Sequence, residues 1–422
     1  MERRYYEKLD ETLYETRLPN GLRLQVVPRP GSQRSVAYFV TDFGSIHRRF
    51  RLDGEEYEVP MGIAHFLEHK MFELPDRDVP AEFAALGANV NAFTSHDLTA
   101  YYFSCTRNFE ASLRLLLEFV STPYFTPESV QREQGIIDQE IAMNEDDPAS
   151  REFNALMGRM YTVHPVREEI LGTRDSIREI THEKLHLCHR AFYTPANMIL
   201  CVVADVDPAQ VAAITRQVLG DDYRPPAEKI RHWPEAPTCR PEPEQLRLDV
   251  SLPSYSIGFK CPPAGREGQA LRADIVGYFA AEILFGEASP LYLKLYESGM
   301  VDSSFGGSFE TMDGCAMMTC GADGDNAPRI RMELLEEAAR ILKEGIPRED
   351  LLRLKRGSMG RRIRGLDSPD GTCYRLCAYS LLDCDYYRFP EVYAQVTEED
   401  VLALLKQAVT AESSALIITK PL

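Results

Sequence analysis

Apolar residues recur along the chain in two rhythms, and the places where one gives way to the other predict its elements. Residues 13–27 read as two strands around Pro19-Asn20-Gly21, where Asn-Gly offers the positive φ angles of a tight hairpin turn. Residues 35–41 continue as a strand. A short apolar helix is predicted near 60–72, and a second over 79–86 that stops at Gly87. Residues 89–105 alternate as paired strands with a turn near Ser95-His96-Asp97, and helical spacing then covers 108–121, 127–145, 148–161 and 180–192. A strand at 198–206 and a helix at 208–218 close a first unit, residues 1–222.

Residues 223–244 carry a density of prolines and charges that neither helix nor strand tolerates, and are predicted to be a linker. Residues 245–422 follow with strands near 246–250 and 255–260, helices at 267–285 and 289–298, and strands at 301–311 and 314–321. Helices at 327–343, 347–365, 371–381 and 397–408 and a strand at 414–419 finish the chain. The second half thus repeats the order of the first at a period of roughly two hundred residues, which predicts a duplicated α+β unit. In the second copy residues 274–285 stand where the first copy has its short apolar helix, and they contain no histidine.

Composition adds bounds. The 422 residues are 44% hydrophobic and 27% charged, ordinary for a globular protein of two or three domains. A formal net charge of -18 argues against nucleic acid or an anionic membrane as partner, because both reward basic surfaces. The ten cysteines are scattered, with no Cys-x-x-Cys pair. They read as reduced thiols, and Cys373 and Cys377, at helical spacing, as packing residues. The chain start has no apolar signal segment and no apolar run is long enough to span a membrane, so the expected location is cytoplasmic.

The candidate chemistry sits on the short helix, Met61-Gly-Ile-Ala-His65-Phe-Leu-Glu68-His69. Histidines at i and i+4 share one helix face, so both imidazoles can reach one metal ion, and Glu68 lies on the same side. A carboxylate there can take a proton from water during attack on a carbonyl and return it to a leaving amine. The order His-x-x-Glu-His inverts the thermolysin-type motif. A catalytic zinc takes three protein ligands, and the acidic helix at 127–145 offers Glu133, Glu140 and Glu145 as the third. Spacing alone does not choose among them. His182, His186 and His189 form a second cluster at helical spacing, read as part of an ordinary helix capped by Thr181.

These motifs together resemble the pitrilysin/insulinase metallopeptidases, in their single-unit, mitochondrial-processing-peptidase-like branch. The likeness runs over nearly the whole chain. Gly62 to Phe72 resembles the family's zinc helix, Asn89-Val-Asn-Ala-Phe-Thr-Ser95 its substrate-binding edge strand, and Glu140-Ile-Ala-Met-Asn-Glu-Asp-Asp-Pro148 its third-ligand segment. His164-Pro-Val, Ile170-Leu-Gly-Thr173 and Phe192-Tyr-Thr-Pro-Ala-Asn-Met198 match further landmarks. The resemblance implies one Zn2+ per chain held by His65, His69 and Glu140, with Glu68 as general base and Glu133 as supporting acidic residue. It also implies that Asn91 and Ala92 bind substrate through backbone groups. The implied fold is α+β, two homologous domains, each a mostly antiparallel sheet backed by helices, with two chains closing as a clamshell; only the first domain should hold metal.

One stretch departs from that pattern. Active members carry an Arg and a Tyr seven residues apart in the second domain, and here the matching run, Ser289 to Asp302, has Tyr296 near the place of the Arg and Asp302 at that of the Tyr. The chain therefore resembles the zinc-bearing half of a heterodimer whose homologous partner supplies the pair; otherwise a homodimer is expected. The implied function is a zinc endopeptidase acting on unfolded peptides or leader segments. The alternative is a non-catalytic structural subunit. Trp233, the single tryptophan, is expected to pin the linker to a domain rather than to bind a ligand.

Overall fold

The Asn20-Gly21 turn closes the predicted hairpin in the computed structural model, which describes residues 1–265 and 268–422. Strands Glu11–Arg17 and Arg23–Pro28 run antiparallel. Gly21 has φ +91°, and a Cβ there would stand 2.7 Å from that of Ala196, so both conformation and space require glycine. The Asn20 side chain completes the turn: its Oδ1 accepts from Leu22 N at 3.1 Å, and its Nδ2 donates to the Gly220 carbonyl at 2.8 Å.

The hairpin opens a seven-stranded sheet in the order Glu2–Tyr6, Glu11–Arg17, Arg23–Pro28, Met198–Ala204, Ser35–Thr41, Thr99–Cys105 and Ala88–Thr94. Every pairing is antiparallel except Arg23–Pro28 beside Met198–Ala204. Met198–Ala204 is buried throughout, as expected for a central strand covered on both faces. Ala88–Thr94 is an outer edge.

The second sheet repeats this plan. Its order is Glu244–Leu248, Ser414–Pro421, Ser254–Cys261, Cys315–Asp323 and Gly306–Met312, again with one parallel pair, between the first strand and the last. The opening strand lies parallel to the closing strand, the next strand is antiparallel to the closing one, and a hairpin forms the edge. Both sheets are backed by helices, so the fold is α+β with two homologous domains.

The compact units nevertheless are not contiguous stretches of chain. One comprises residues 1–141, 169–231 and 362–388; the other comprises 142–168, 232–361 and 389–422. The helix Pro148–Met160 packs on the second sheet, where Met160 fills the space left by Gly258, and Leu156, Met157 and Met160 join the core with Met317 and Ile417. Reciprocally, Pro369–Leu381 packs on the first sheet, where Cys373 Sγ lies 3.6 Å from the Cys201 carbonyl and Ser380 Oγ accepts from Gln25 Nε2 at 2.9 Å. Each sheet is covered by a helix that chain order places in the other half. The sequence division at 222 and 245 follows the repeat of elements, whereas packing divides the chain through these exchanged helices.

The segment read as a linker is tied down along its length. Glu228–Lys229 pairs with the strand Arg49–Leu52, and Lys229 forms an ion pair with Asp42. In the other unit, Trp233 lies edge-on to His164 at 4.5 Å between ring centroids. The Glu235 carboxylate there accepts from the backbone N–H groups of Thr162, Val163 and His164 at 2.7–2.8 Å and from Lys260 at 3.1 Å. Elements that the pattern does not predict are polar or short: Glu2–Tyr6, the hairpin Arg49–Leu52 with Glu55–Glu58, and the helix Phe389–Gln395. The predicted helix at 267–285 is present as Ala270–Phe285, residue 267 lying outside the described residues. Among the described residues no helix is long and apolar enough to cross a membrane.

Candidate metal centre

The short helix runs Ile63–Met71, later in its start than periodicity suggests, because Gly62 has φ +86° and cannot join it. A Cβ at Gly62 would collide with the Leu171 carbonyl. Ser176 Oγ donates to the Met61 carbonyl at 3.0 Å and so fastens the entry of the helix. The helix is buried on nearly all sides, including His65 at 8% exposure, Glu68 at 7% and Lys70 at 0%. Polar side chains at such depth need partners.

Those partners come chiefly from the helix Pro127–Asp146 and from the edge strand. His65 Nε2 and His69 Nε2 each stand 3.6 Å from an oxygen of Glu140, and the donor atoms of the three residues lie within 4.8 Å of one another. These gaps are too long for hydrogen bonds, and a small inward shift of the side chains would let all three reach one ion at about 2 Å each. His69 Nδ1 is 3.0 Å from Glu133 Oε1, which orients its ring, and His65 Nδ1 is buried without a hydrogen-bond partner. Glu145 is exposed and outside this group.

Electrostatics separate the members. Burial, helped by neighbouring His69, holds the His65 imidazole down at about 3, so it is neutral and able to donate a lone pair at physiological pH. Burial alone would lower His69, but the Glu133 hydrogen bond and the charges of Glu133, Glu68 and Glu140 outweigh it and raise its affinity for protons. Glu68 goes up because burial outweighs the donor hydrogen bond from Thr94 and the pull of His69. Thr94 Oγ1 donates to Glu68 Oε2 at 2.7 Å; Thr99 Oγ1, 3.4 Å from Thr94 Oγ1, donates its own proton to the Phe43 carbonyl at 2.9 Å. Thr94 was not singled out from sequence. The signal for it was its place at the end of the edge strand.

Asn91 and Ala92 lie in the middle of that edge strand, where Asn91 Oδ1 accepts the Ala92 N–H at 2.8 Å. The other histidines do not converge: His182 pairs with Glu183 at 3.1 Å, His186 packs on Phe125, and His189 stacks on Tyr193 with its proton affinity lowered to about 4 by burial. Thr181 caps their helix, accepting from Lys184 N. In the second unit Tyr296 is exposed and stacks on Tyr292, while Asp302 Oδ1 accepts from Ser304 N at 2.8 Å and Ser304 Oγ at 2.6 Å.

Comparison with known proteins gives a consistent picture. Residues 53–174 match the family model for insulinase, peptidase family M16, and residues 179–358 match that for the peptidase M16 inactive domain. The chain is 35% identical over 414 residues to the uncharacterized zinc protease YmfH of Bacillus subtilis, with 96% of each covered. A putative M16-like peptidase from Alicyclobacillus acidocaldarius superposes with a TM-score of 0.93 at 33% identity, covering 98% of this chain and 99% of that one. The periplasmic protease PqqL of Escherichia coli shares the fold at a TM-score of 0.73 and 20% identity; the match covers 97% of this chain and 47% of that longer one.

Proposed function

The chain belongs to the insulinase family of M16 peptidases, and on that premise we propose that it is a zinc-dependent endopeptidase that hydrolyses unfolded peptides or leader segments. The observation that carries the reading is the convergence of His65, His69 and Glu140 within 4.8 Å, with Glu68 close by and left out of the donor group. Two imidazoles and one carboxylate suit zinc and leave a coordination position open, as catalytic rather than structural sites do. One Zn2+ per chain is expected, and the relatives' names as zinc proteases agree.

When bound, zinc supplies a Lewis acid that polarises the scissile carbonyl and acidifies water. The protein does the rest. Glu68 accepts the proton of the attacking water and returns it to the leaving amine. Its Oε2 is already engaged by the Thr94 hydroxyl, which leaves Oε1 as the more basic oxygen. Glu133 keeps the His69 ring oriented with Nε2 toward Glu140. A substrate added as a strand to Ala88–Thr94 is held extended by main-chain hydrogen bonds, which suits peptides of varied sequence. To use the Ala92 N–H it displaces the Asn91 side chain.

Tyr296 and Asp302, placed where active members carry Arg and Tyr, are committed to a ring stack and to a turn. This favours a homologous subunit that contributes the Arg/Tyr pair, with a homodimer as the fallback. The same departure supports the second reading, a non-catalytic subunit. The ten cysteines are free and buried, in keeping with a reducing, cytoplasmic setting. The test is cleavage of a quenched-fluorescent peptide library by the zinc-loaded chain, alone and with candidate homologous subunits. Glu68→Gln should bind zinc and lose activity by ~10³-fold. Zinc bound with no cleavage in any pairing would favour the structural subunit.

A further inference from the structure

Lys70 is buried completely, one residue after the second histidine of the metal helix. An ammonium removed from water requires compensating charge. Two carboxylates provide it: Glu73, in direct ion pair with Lys70 Nζ, and Glu133, whose Oε2 is 4.0 Å away. Glu73 is also bridged by Arg132 at 2.9 Å, from the residue just before Glu133. The other Glu133 oxygen, Oε1, meets His69 Nδ1 at 3.0 Å. The contacts thus form one continuous chain, Arg132–Glu73–Lys70–Glu133–His69, that joins the end of the metal helix to the helix bearing Glu140.

The geometry points to Lys70 as a positioning residue for the metal centre, acting through Glu133 to fix the His69 ring and thereby setting zinc affinity. The inference rests on His69 being a zinc ligand. A carboxylate that accepts from a ligating imidazole must itself be held, or the ring gains freedom and affinity falls. Glu133 is held on one side by His69, and Lys70 is the cation that faces it from the buried side. Glu73 neutralises Lys70 on one side, and Glu133 is the second carboxylate within reach of the same ammonium; an apolar residue of similar length would fill the space without linking the two.

The experiment is zinc affinity by chelator competition, read without any activity assay, on the full chain and on Lys70→Met, Glu133→Gln, the double variant and Glu73→Gln. Lys70→Met is expected to weaken zinc binding ~10- to 100-fold, the range for loss of an outer-sphere support. In the Glu133→Gln background Lys70→Met should add little, since both act through one contact. Glu73→Gln, which keeps Lys70 facing Glu133, should hold affinity within about threefold and keeps the idea testable if Lys70→Met fails to fold. Wild-type affinity in folded Lys70→Met, additive losses in the double variant, or a loss in Glu73→Gln as large as that in Glu133→Gln would each overturn the inference while leaving the peptidase reading intact. A wild-type chain that binds no zinc would overturn both.

Discussion

The helices Ile63–Met71 and Ala270–Phe285 occupy equivalent places in the two repeats, each preceding and packing on the edge strand of its sheet, yet they are built for different purposes. The first buries His65, Glu68 and Lys70 and surrounds them with donors and acceptors from neighbouring elements. The second buries Leu271, Ile275, Phe279 and Leu284 and meets its edge strand through Gly277, where a Cβ would collide with the Phe309 ring. One scaffold position therefore carries either a polar site that needs support or apolar packing that needs none. Carboxylates drawn out of solvent differ in the same way. Glu68 is raised by burial, whereas Glu235 in the second unit, though burial pushes it up, is held at about 2 by three backbone N–H groups and Lys260. Glu68 accepts from the Thr94 hydroxyl, whereas Glu235, which fastens a chain segment, accepts from several groups at once.

Glycine variants sharpen this comparison most strongly. Gly62→Ala forces a left-handed residue and a clash with Leu171, at a cost of about 3 kcal/mol, and should weaken zinc binding as well as lower Tm. Gly277→Ala overpacks the second helix by about 2 kcal/mol and should lower Tm with zinc affinity untouched. Equal losses of zinc affinity in both would break the distinction. Next in size, Thr94→Val removes the donor to Glu68 and should reduce kcat/KM in the active assembly about tenfold, with zinc content unchanged and Thr94→Ser restoring the rate.

The smallest effect, because Glu235 is only partly buried and solvent screens its contacts, is on acid stability. Glu235 has a folded value of about 2, below the ~4.3 of an unfolded glutamate, so the unfolded chain binds the extra proton between them. Its contribution is fully present above pH ~5 and is lost as pH falls toward 2. Glu235→Gln should therefore melt lower at pH 7 and show a shallower decline between pH 5 and 3. Parallel wild-type and variant curves over that range would show that Glu235 is not the group responsible.

Much of this was legible in the chain because periodicity reports which face of an element is apolar. The hairpin at Asn20-Gly21, the paired edge strands and the long helices of both halves fall within a few residues of their predicted bounds. Periodicity does not report which sheet the apolar face meets, so the exchange of Pro148–Met160 and Pro369–Leu381 was invisible. The strand Glu2–Tyr6 is exposed and lacks the alternation that would announce it. At the centre, the His-x-x-Glu-His spacing singled out His65, Glu68 and His69, but spacing left Glu133, Glu140 and Glu145 equal. The family resemblance, not spacing, picked Glu140 as the ligand and Glu133 as its support, and the second helix brings Glu140 and Glu133, not Glu145, beside the histidines. Lys70 and Thr94 were unreadable for a related reason: a lysine or threonine beside a motif looks like solvated surface until burial and partners are known.

The most direct measurement is metal content by mass spectrometry on purified wild type, His65→Ala and Glu68→Gln after equilibration with limiting zinc. The account predicts a single zinc ion per chain in wild type and in Glu68→Gln, and none retained by His65→Ala. Zinc kept by His65→Ala, or lost from Glu68→Gln while the protein stays folded, would contradict it.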